Sequence, residues 1–225
     1  DIVLFHSAAE GKLVTLKEYV EHMPEGQKFI YYACGESIER TMKLPQTELV
    51  RSKGYDILCL TDDVDEFAVK LLHTYMEKEF KSVSENDLDL ATEEEKKEAE
   101  AVQKESADLL TSMKEALAGL VTDVRLSDRL ITSPVCLTSG GPLSIEMEKV
   151  LSSMPMQGDD GGMKAERVLE INPKHPVFAA LKGLSAGDER VEKYARLLYN
   201  QALLIEGLPI DDPVAFSNSI CELMQ

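Results

Sequence analysis

Two short apolar runs, each followed by residues at helical spacing, constrain the fold more than any other feature of this 225-residue chain. The first run, Phe29–Cys34, is rich in β-branched and aromatic residues and stops at Gly35. The second covers residues 55–60 and follows the breaker Gly54. Near-continuous apolar strands are typical of parallel sheets that are covered on both faces. The pattern therefore predicts a small parallel sheet over residues 29–84, covered by helices.

The second half of the chain predicts a different unit. Strands are expected at residues 121–126, 134–138 and 167–171, with an amphipathic helix at 143–154 and a loop at 155–162. Asn172 and Pro173 form a typical start of a further helix. We therefore predict an α/β chain (α+β overall). A small αβα sandwich is followed by a mixed α/β domain with a three-stranded sheet and C-terminal helices.

Between these regions, residues 85–100 carry eight acidic side chains against two lysines, and good helix formers follow up to residue 117. This composition predicts a solvated helix that connects two domains.

The last two predicted helices carry more apolar surface than a single chain needs. Residues 191–206 are apolar on more than one face and end at Gly207, and Asp212-Pro213 begins a final helix with its own apolar face. Such a helix is either central to its own domain or shared with a second copy. The last helix favours a two-fold helical bundle.

The charge balance narrows the possible partners. Lys and Arg number 24 and Asp and Glu number 41, which gives a formal net charge of −17. This charge disfavours nucleic acid or an anionic membrane as the main partner. The four cysteines are far apart in the sequence, which is typical of small buried residues in a reducing cytosol. Because the chain has no initiator Met, we expect it to be a fragment of a longer protein.

No sequence motif indicates a catalytic, cofactor or metal site. Phosphate-binding loops, the dinucleotide fingerprint, the nucleophile elbow and the zinc-binding His pair are all missing from the sequence. The acids at residues 62–66 fit helix capping, with Asp63 as the cap and Glu66 three residues on. An enzyme that uses Asp62, Asp63, Asp65 or His73 for acid–base catalysis is a further alternative.

Two further features allow both a structural and a binding role. The helix at 143–154 has its apolar residues on one face, two of them Met, which suits adaptable apolar surfaces but also packing on a sheet. Phe67, flanked by Glu66 and Lys70, belongs either to the core or to a binding surface. Spacing alone leaves both questions open.

Many segments in the same order resemble the heat-shock protein 90 family, and together they cover nearly the whole chain. They are residues 16–19 (LKEY), 25–32 (EGQKFIYY), 53–58 (KGYDIL), 64–67 (VDEF), 82–83 (SV), 127–134 (SDRLITSP), 169–175 (LEINPKH), 198–204 (LYNQALL) and 212–213 (DP). The resemblance implies that residues 1–92 are the end of the middle domain, 93–118 a connecting helix, and 119–225 the C-terminal dimerisation domain. It also implies a cytoplasmic chaperone whose ATP/Mg site lies upstream of this chain.

The resemblance assigns two sets of binding residues. Unfolded client proteins are expected at Glu66, Phe67, Lys70, Leu143, Met147, Val150, Leu151 and Met154. A homodimer interface is expected at Tyr194, Leu197, Leu198, Leu204, Ile205, Phe216, Ile220, Leu223 and Met224. Position 67 is Phe where bacterial relatives often have Trp, and the acidic C-terminal pentapeptide of eukaryotic cytosolic members is missing. The alternative is a dimerisation or ligand-binding module of another α/β protein.

Overall fold

The computed structural model describes residues 3–153, 164–184 and 188–223. The first elements in chain order are β1 (Leu4–Ser7), β2 (Lys12–Thr15), α1 (Leu16–Glu21), β3 (Phe29–Cys34), α2 (Ile38–Thr41), a 3-10 turn (Pro45–Thr47), α3 (Glu48–Ser52), β4 (Leu58–Leu60), α4 (Asp65–Leu72), β5 (Thr74–Tyr75) and β6 (Lys78–Ser82). They are followed by α5 (Glu93–Glu105), α6 (Ala107–Ala116), β7 (Asp123–Leu126), β8 (Val135–Ser139), α7 (Ile145–Ser153), β9 (Arg167–Ile171), α8 (Pro176–Lys182), α9 (Glu189–Glu206) and α10 (Pro213–Glu222). The predicted α/β class, α+β overall, is confirmed.

The chain divides into two compact units. Unit 1 consists of residues 1–90 and 141–165, and unit 2 of residues 91–140 and 166–225. This division does not follow the boundaries expected at residues 92 and 118, because the segment that contains α7 groups with unit 1. The domain boundaries implied by the resemblance stay a prediction.

Unit 1 contains a six-stranded sheet in the order β2-β1-β4-β3-β6-β5. The central strand β3 pairs in parallel with β4, as the two apolar runs predicted, and it also pairs in parallel with β6. The antiparallel strands β1, β2 and β5 were not predicted, because each is short and lacks a long alternating pattern.

Both faces of this sheet are buried. Along β3, Ile30 and Tyr32 pack on one face and Tyr31 and Ala33 on the other, since side chains alternate along a strand. Tyr19 anchors the first face, because its hydroxyl donates a hydrogen bond to the Asp56 carbonyl at 2.7 Å. The continuous apolar run thus reflects burial on two sides.

Unit 2 is built on a three-stranded sheet in the order β7-β9-β8. The central strand β9 is parallel to β7 and antiparallel to β8. The helix α9 packs against α6 and against β8. Gly207 ends α9 in the left-handed region with φ 72°, where glycine is favoured.

Local signals for helix starts had mixed outcomes. Asp212 caps α10, as predicted, and Ser37 caps α2. The expected start at Asn172 and Pro173 is wrong, because α8 begins at Pro176 with His175 as its cap. Asn172 is fully buried and donates a hydrogen bond to the Ser133 carbonyl at 2.9 Å instead.

The connecting region is helical but is not one helix. The helices α5 and α6 are separated at Ser106, which has φ −104° and ψ 9°. Thr92 and Glu95 form a capping box at the start of α5, and no residue of α5 is buried. The predicted solvated helix is therefore confirmed for α5, whereas α6 buries Leu110 and Met113.

Candidate functional site

A cavity of about 60 Å³ lies within unit 1, where the parallel strands β3 and β4 end. Cys34 pairs with Leu60 in register, and the Gly35 amide donates a hydrogen bond to the Leu60 carbonyl at 3.1 Å. Residues 34–36 and 60–63 form this part of the cavity wall. Carboxyl ends of parallel strands are the usual place for ligands in open α/β sheets.

The helix α4 supplies a second wall through Glu66 and Phe67. The predicted capping box at Asp63 and Glu66 is wrong, because Val64 occupies the cap position and no side chain in the described part of the structure caps the helix. Glu66 turns inward and is only 5% exposed, while Phe67 is half-buried.

The helix α7 supplies a third wall through Glu146, Met147 and Val150. Ser144 positions its first turn, because the Ser144 Oγ accepts a hydrogen bond from the Met147 amide at 3.0 Å. The same hydroxyl donates to Glu66 Oε2 at 2.6 Å. One serine thus caps α7 and fastens it to α4.

Lys70 makes a second link between α4 and α7. Its Nζ donates a hydrogen bond to the Pro142 carbonyl at 3.1 Å and lies 3.3 Å from Met147 Sδ. The same Nζ lies 3.4 Å from Glu66 Oε1. These contacts explain why the segment that contains α7 groups with unit 1.

The cavity lining is mixed in polarity. Its acidic side chains are Glu36, Asp62, Asp63, Glu66 and Glu146, and its apolar side chains include Leu60, Phe67, Met147 and Val150. Burial raises the pKa of the Cys34 thiol well above its usual range, and the neighbouring Glu66 and Glu146 carboxylates add to this effect. The thiol therefore stays protonated at neutral pH and is a poor nucleophile. The site is suited to non-covalent binding.

The structure brings together residues that the resemblance placed in two distant segments. Glu66 and Phe67 from α4 and Met147 and Val150 from α7 line one cavity. Lys70, which the resemblance also assigned to client binding, contacts Met147.

The remaining residues expected to bind clients lie outside this lining. Leu143 and Leu151 are half-buried, and Met154 lies outside the described residues. The described apolar residues of α7 that were expected to bind clients are all half-buried, because α7 rests on α4.

Sequence reasoning did not assign Ser144, Asp62 or Asp63 to a binding site. Ser144 directly precedes the helical pattern, which is the typical position of an N-cap, so a local signal existed. Asp62 and Asp63 follow a buried strand, where ligand-binding side chains are common in α/β proteins. Their interpretation as capping residues hid that role.

The geometry does not support the hypothesis of an acid–base enzyme. Asp62 and Asp63 precede α4, whereas His73 ends it and is exposed. Eight helical residues place these groups roughly 12 Å apart at 1.5 Å per residue. The described part of the chain contains no group of three or more His, Cys, Asp or Glu residues that could hold a metal ion.

The expected dimer surface divides into buried and exposed parts. Leu198 is 2% exposed and Leu197 is also buried, so these two side chains belong to the core of unit 2. Tyr194 and Ile205 are half-buried, and Leu204 is exposed.

The helix α10, in contrast, buries no residue. Phe216 and Ile220 are half-buried, while Leu223 and Val214 are exposed, the last by 70%. Met224 lies outside the described residues. A helix whose apolar side chains remain this exposed is typical of a surface that binds a partner.

Unit 2 also contains a buried ionic network that sequence reasoning did not identify. Glu170 lies on the central strand β9 and is 0% exposed. Its Oε2 accepts hydrogen bonds from Ser127 Oγ at 2.7 Å and Arg129 Nε at 3.0 Å, and its Oε1 accepts from Thr138 and Arg125. Burial opposes ionisation, but Arg129 and Arg125 hold the pKa of Glu170 below its ordinary value.

Comparison with known proteins identifies the class of protein to which this fold and cavity belong. The family model for Hsp90 protein matches residues 1–225, and the chain belongs to this family. It is 57% identical to the chaperone protein HtpG of Bacillus velezensis and 55% identical to that of Bacillus subtilis, in both cases over the whole chain. The HtpG of Clostridium acetobutylicum is also 55% identical. The chain spans about a third of the length of these relatives, 36% for the two Bacillus proteins and 35% for the clostridial one.

Among the described residues, none of the helices combines the length and the apolar character needed to cross a membrane.

Proposed function

We propose that this chain is the part of a bacterial Hsp90-type chaperone that binds unfolded client proteins and holds two copies together. The observation that carries the proposal is the cavity of unit 1, which unites Glu66 and Phe67 with Met147 and Val150. The resemblance assigned both pairs of residues to client binding, although 80 residues separate Phe67 from Met147. A half-buried, adaptable surface of this kind suits apolar segments of varied sequence.

The proposal keeps the domain assignment that the resemblance implies. Residues 1–92 correspond to the end of the middle domain, 93–118 to a connecting helical region and 119–225 to the C-terminal dimerisation domain. The motifs in matching order support this assignment, and so does the three-stranded sheet of unit 2.

We place the ATP/Mg site of the whole protein outside this chain and assign the chain no cofactor of its own. The sequence contains no phosphate-binding loop, and about two thirds of the length of the relatives lies outside the matched part. Purified chain is expected to show no ATP hydrolysis above a mock preparation. Hydrolysis that responds to a substitution within the chain would contradict this assignment.

The proposed partners are a second copy of the chain and unfolded proteins in the cytoplasm. Nucleic acid and anionic membranes are not proposed as partners, because the net charge of −17 would repel both.

Client binding is tested with two matched double variants of α7. Met147→Asp with Leu151→Asp places two charges on the apolar face, whereas Ser152→Asp with Ser153→Asp adds the same charge at exposed positions of the same helix. The first pair is expected to reduce suppression of client aggregation by the chain, and the second to leave suppression unchanged. Circular dichroism checks that both variants are folded.

Two results of this test would contradict the proposal. One is undiminished suppression by a folded Met147→Asp, Leu151→Asp chain. The other is loss of the fold in that variant, which would make the α7 face a core element. A second readout uses Phe67→Trp, since the chain contains no other Trp. Its emission is expected to shift when a client is added.

Dimerisation is tested on α10. Phe216→Asp with Ile220→Asp charges the half-buried face, and Ser217→Asp with Asn218→Asp charges exposed positions of the same helix. The first variant is expected to be a monomer by light scattering, because buried apolar side chains contribute about 1.5–3 kcal/mol each to association. A dimer that survives in the first variant would refute the assignment of α10.

A further inference from the structure

The size of the cavity limits what it can hold. A bound water needs about 10–15 Å³ of such space, so 60 Å³ accommodates roughly four atoms of that size. A drug-sized ligand needs a site of about 300 Å³ or more. The cavity therefore fits the end of a single side chain.

The charges of the lining favour a cation. Glu36 already pairs with Arg40, and Glu146 with Lys149. Asp62 and Asp63 are exposed at the rim and have no ion-pair partner among the described residues.

The buried side chain of Glu66 also favours a cationic ligand. Its side chain is about 95% buried in the cavity wall, and Oε2 is occupied by Ser144. Its Oε1 accepts no hydrogen bond from any described residue, although Lys70 Nζ lies 3.4 Å away. The ion pair with Lys70 does not provide this oxygen with an aligned hydrogen bond, and a donor from a ligand would supply one.

We propose that this cavity binds the ammonium or guanidinium end of a lysine or arginine side chain of the client. This inference rests on the proposed function and specifies which client segments bind best. The cationic end donates to Glu66 and pairs with Asp62 and Asp63, while its methylenes pack on Met147 and Val150. The ring of Phe67 adds a face that attracts cations. Preferred clients therefore present a basic residue within an apolar stretch.

The test uses two unfolded 12-residue peptides with the same apolar sequence. One has a central lysine and the other norleucine, which has a similar shape without the charge. Fluorescence anisotropy of labelled peptides gives their affinities for the whole chain. The lysine peptide is expected to bind about fivefold tighter, as one or two partly exposed ion pairs allow.

A matched pair of variants separates the cavity from the net charge. Asp62→Asn with Asp63→Asn removes two charges at the rim, and Glu94→Gln with Glu98→Gln removes two at exposed positions of α5. The first is expected to abolish the preference for lysine, so that both peptides bind with the same affinity. The second is expected to keep the preference. Adding salt to about 0.5 M should reduce the preference in the unaltered chain, since exposed charges are screened.

The outcomes distinguish this inference from the function on which it rests. Equal affinity of both peptides for the unaltered chain overturns the inference alone, and so does a preference that survives in the Asp62→Asn, Asp63→Asn variant. An equal loss in the α5 variant also overturns it, because the preference would then come from net charge. Failure of both peptides to bind overturns the proposed function.

Discussion

The most deeply buried glutamates of the two units, Glu66 in unit 1 and Glu170 in unit 2, differ in how their oxygens are hydrogen-bonded. In unit 2, Glu170 accepts hydrogen bonds from five side chains of the sheet and the loop that follows β7, and two arginines balance its charge. In unit 1, Glu66 has one short hydrogen bond to Ser144 and a more distant lysine.

The difference separates a group that stabilises the fold from a group that is available to a ligand. A fully satisfied buried carboxylate has no capacity left for a partner, whereas an oxygen without a donor leaves room for one. Glu66 also lines a cavity and Glu170 lies within a sheet.

Removing the charge of Glu170 is expected to have the largest effect. Glu170→Gln leaves Arg125 and Arg129 without their carboxylate, and breaking a buried ion pair in this way costs about 3–5 kcal/mol. Urea unfolding followed by hydrogen exchange of β9 measures the loss in the free energy of unfolding. The control Glu192→Gln breaks an exposed pair with Arg196 and should cost less than about 0.5 kcal/mol. A loss below about 1 kcal/mol for Glu170→Gln would contradict the structural role.

Acid is expected to destabilise unit 2 through the same residue. The pKa of Glu170 is lower in the folded chain than its ordinary value of 4.5, because the two arginines outweigh the effect of burial. The resulting stabilisation is present above pH 4.5 and is lost as the pH falls through the folded-state pKa. The urea midpoint of unit 2 should therefore decline below pH 4.5, and less steeply in Glu170→Gln. Parallel declines in both chains would rule out this source of pH dependence.

Loss of the Ser144 hydroxyl is expected to loosen α7 alone. Ser144→Ala removes the cap of α7 and the hydrogen bond to Glu66, at a cost of about 1–2 kcal/mol. Hydrogen exchange of residues 145–153 should accelerate about tenfold or more, while β9 is unaffected. Ser152→Ala, at an exposed position of α7, serves as the control. Unchanged exchange in Ser144→Ala would show that other contacts hold the helix.

Neutralising Glu66 is expected to have the smallest effect on stability. Glu66→Gln keeps an acceptor for Ser144, and the pair with the partly exposed Lys70 contributes little. The free energy of unfolding should change by less than about 1 kcal/mol, close to the change for Glu79→Gln at an exposed position of β6. A loss near that of Glu170→Gln would make Glu66 a structural residue and remove the distinction between the two glutamates.

The local elements of this protein followed from the sequence. The apolar run of β3 predicted a buried strand, Asp212 predicted a helix start, and Gly207 predicted the end of α9. The strand depends on the burial of its own residues. Each helix end depends on backbone groups within four residues of the residue that predicts it. The information is therefore present in a short stretch of sequence.

Only the tertiary structure decided what those elements do together. Asp63 and Glu66 carry the pattern of a capping box, but packing turned Glu66 towards Ser144, 78 residues away. Packing also buried Leu198 of α9 but buried no residue of α10, although both helices have apolar faces. Spacing shows that a face is apolar but not which surface covers it. That choice depends on contacts between residues far apart in the chain, which no local pattern encodes.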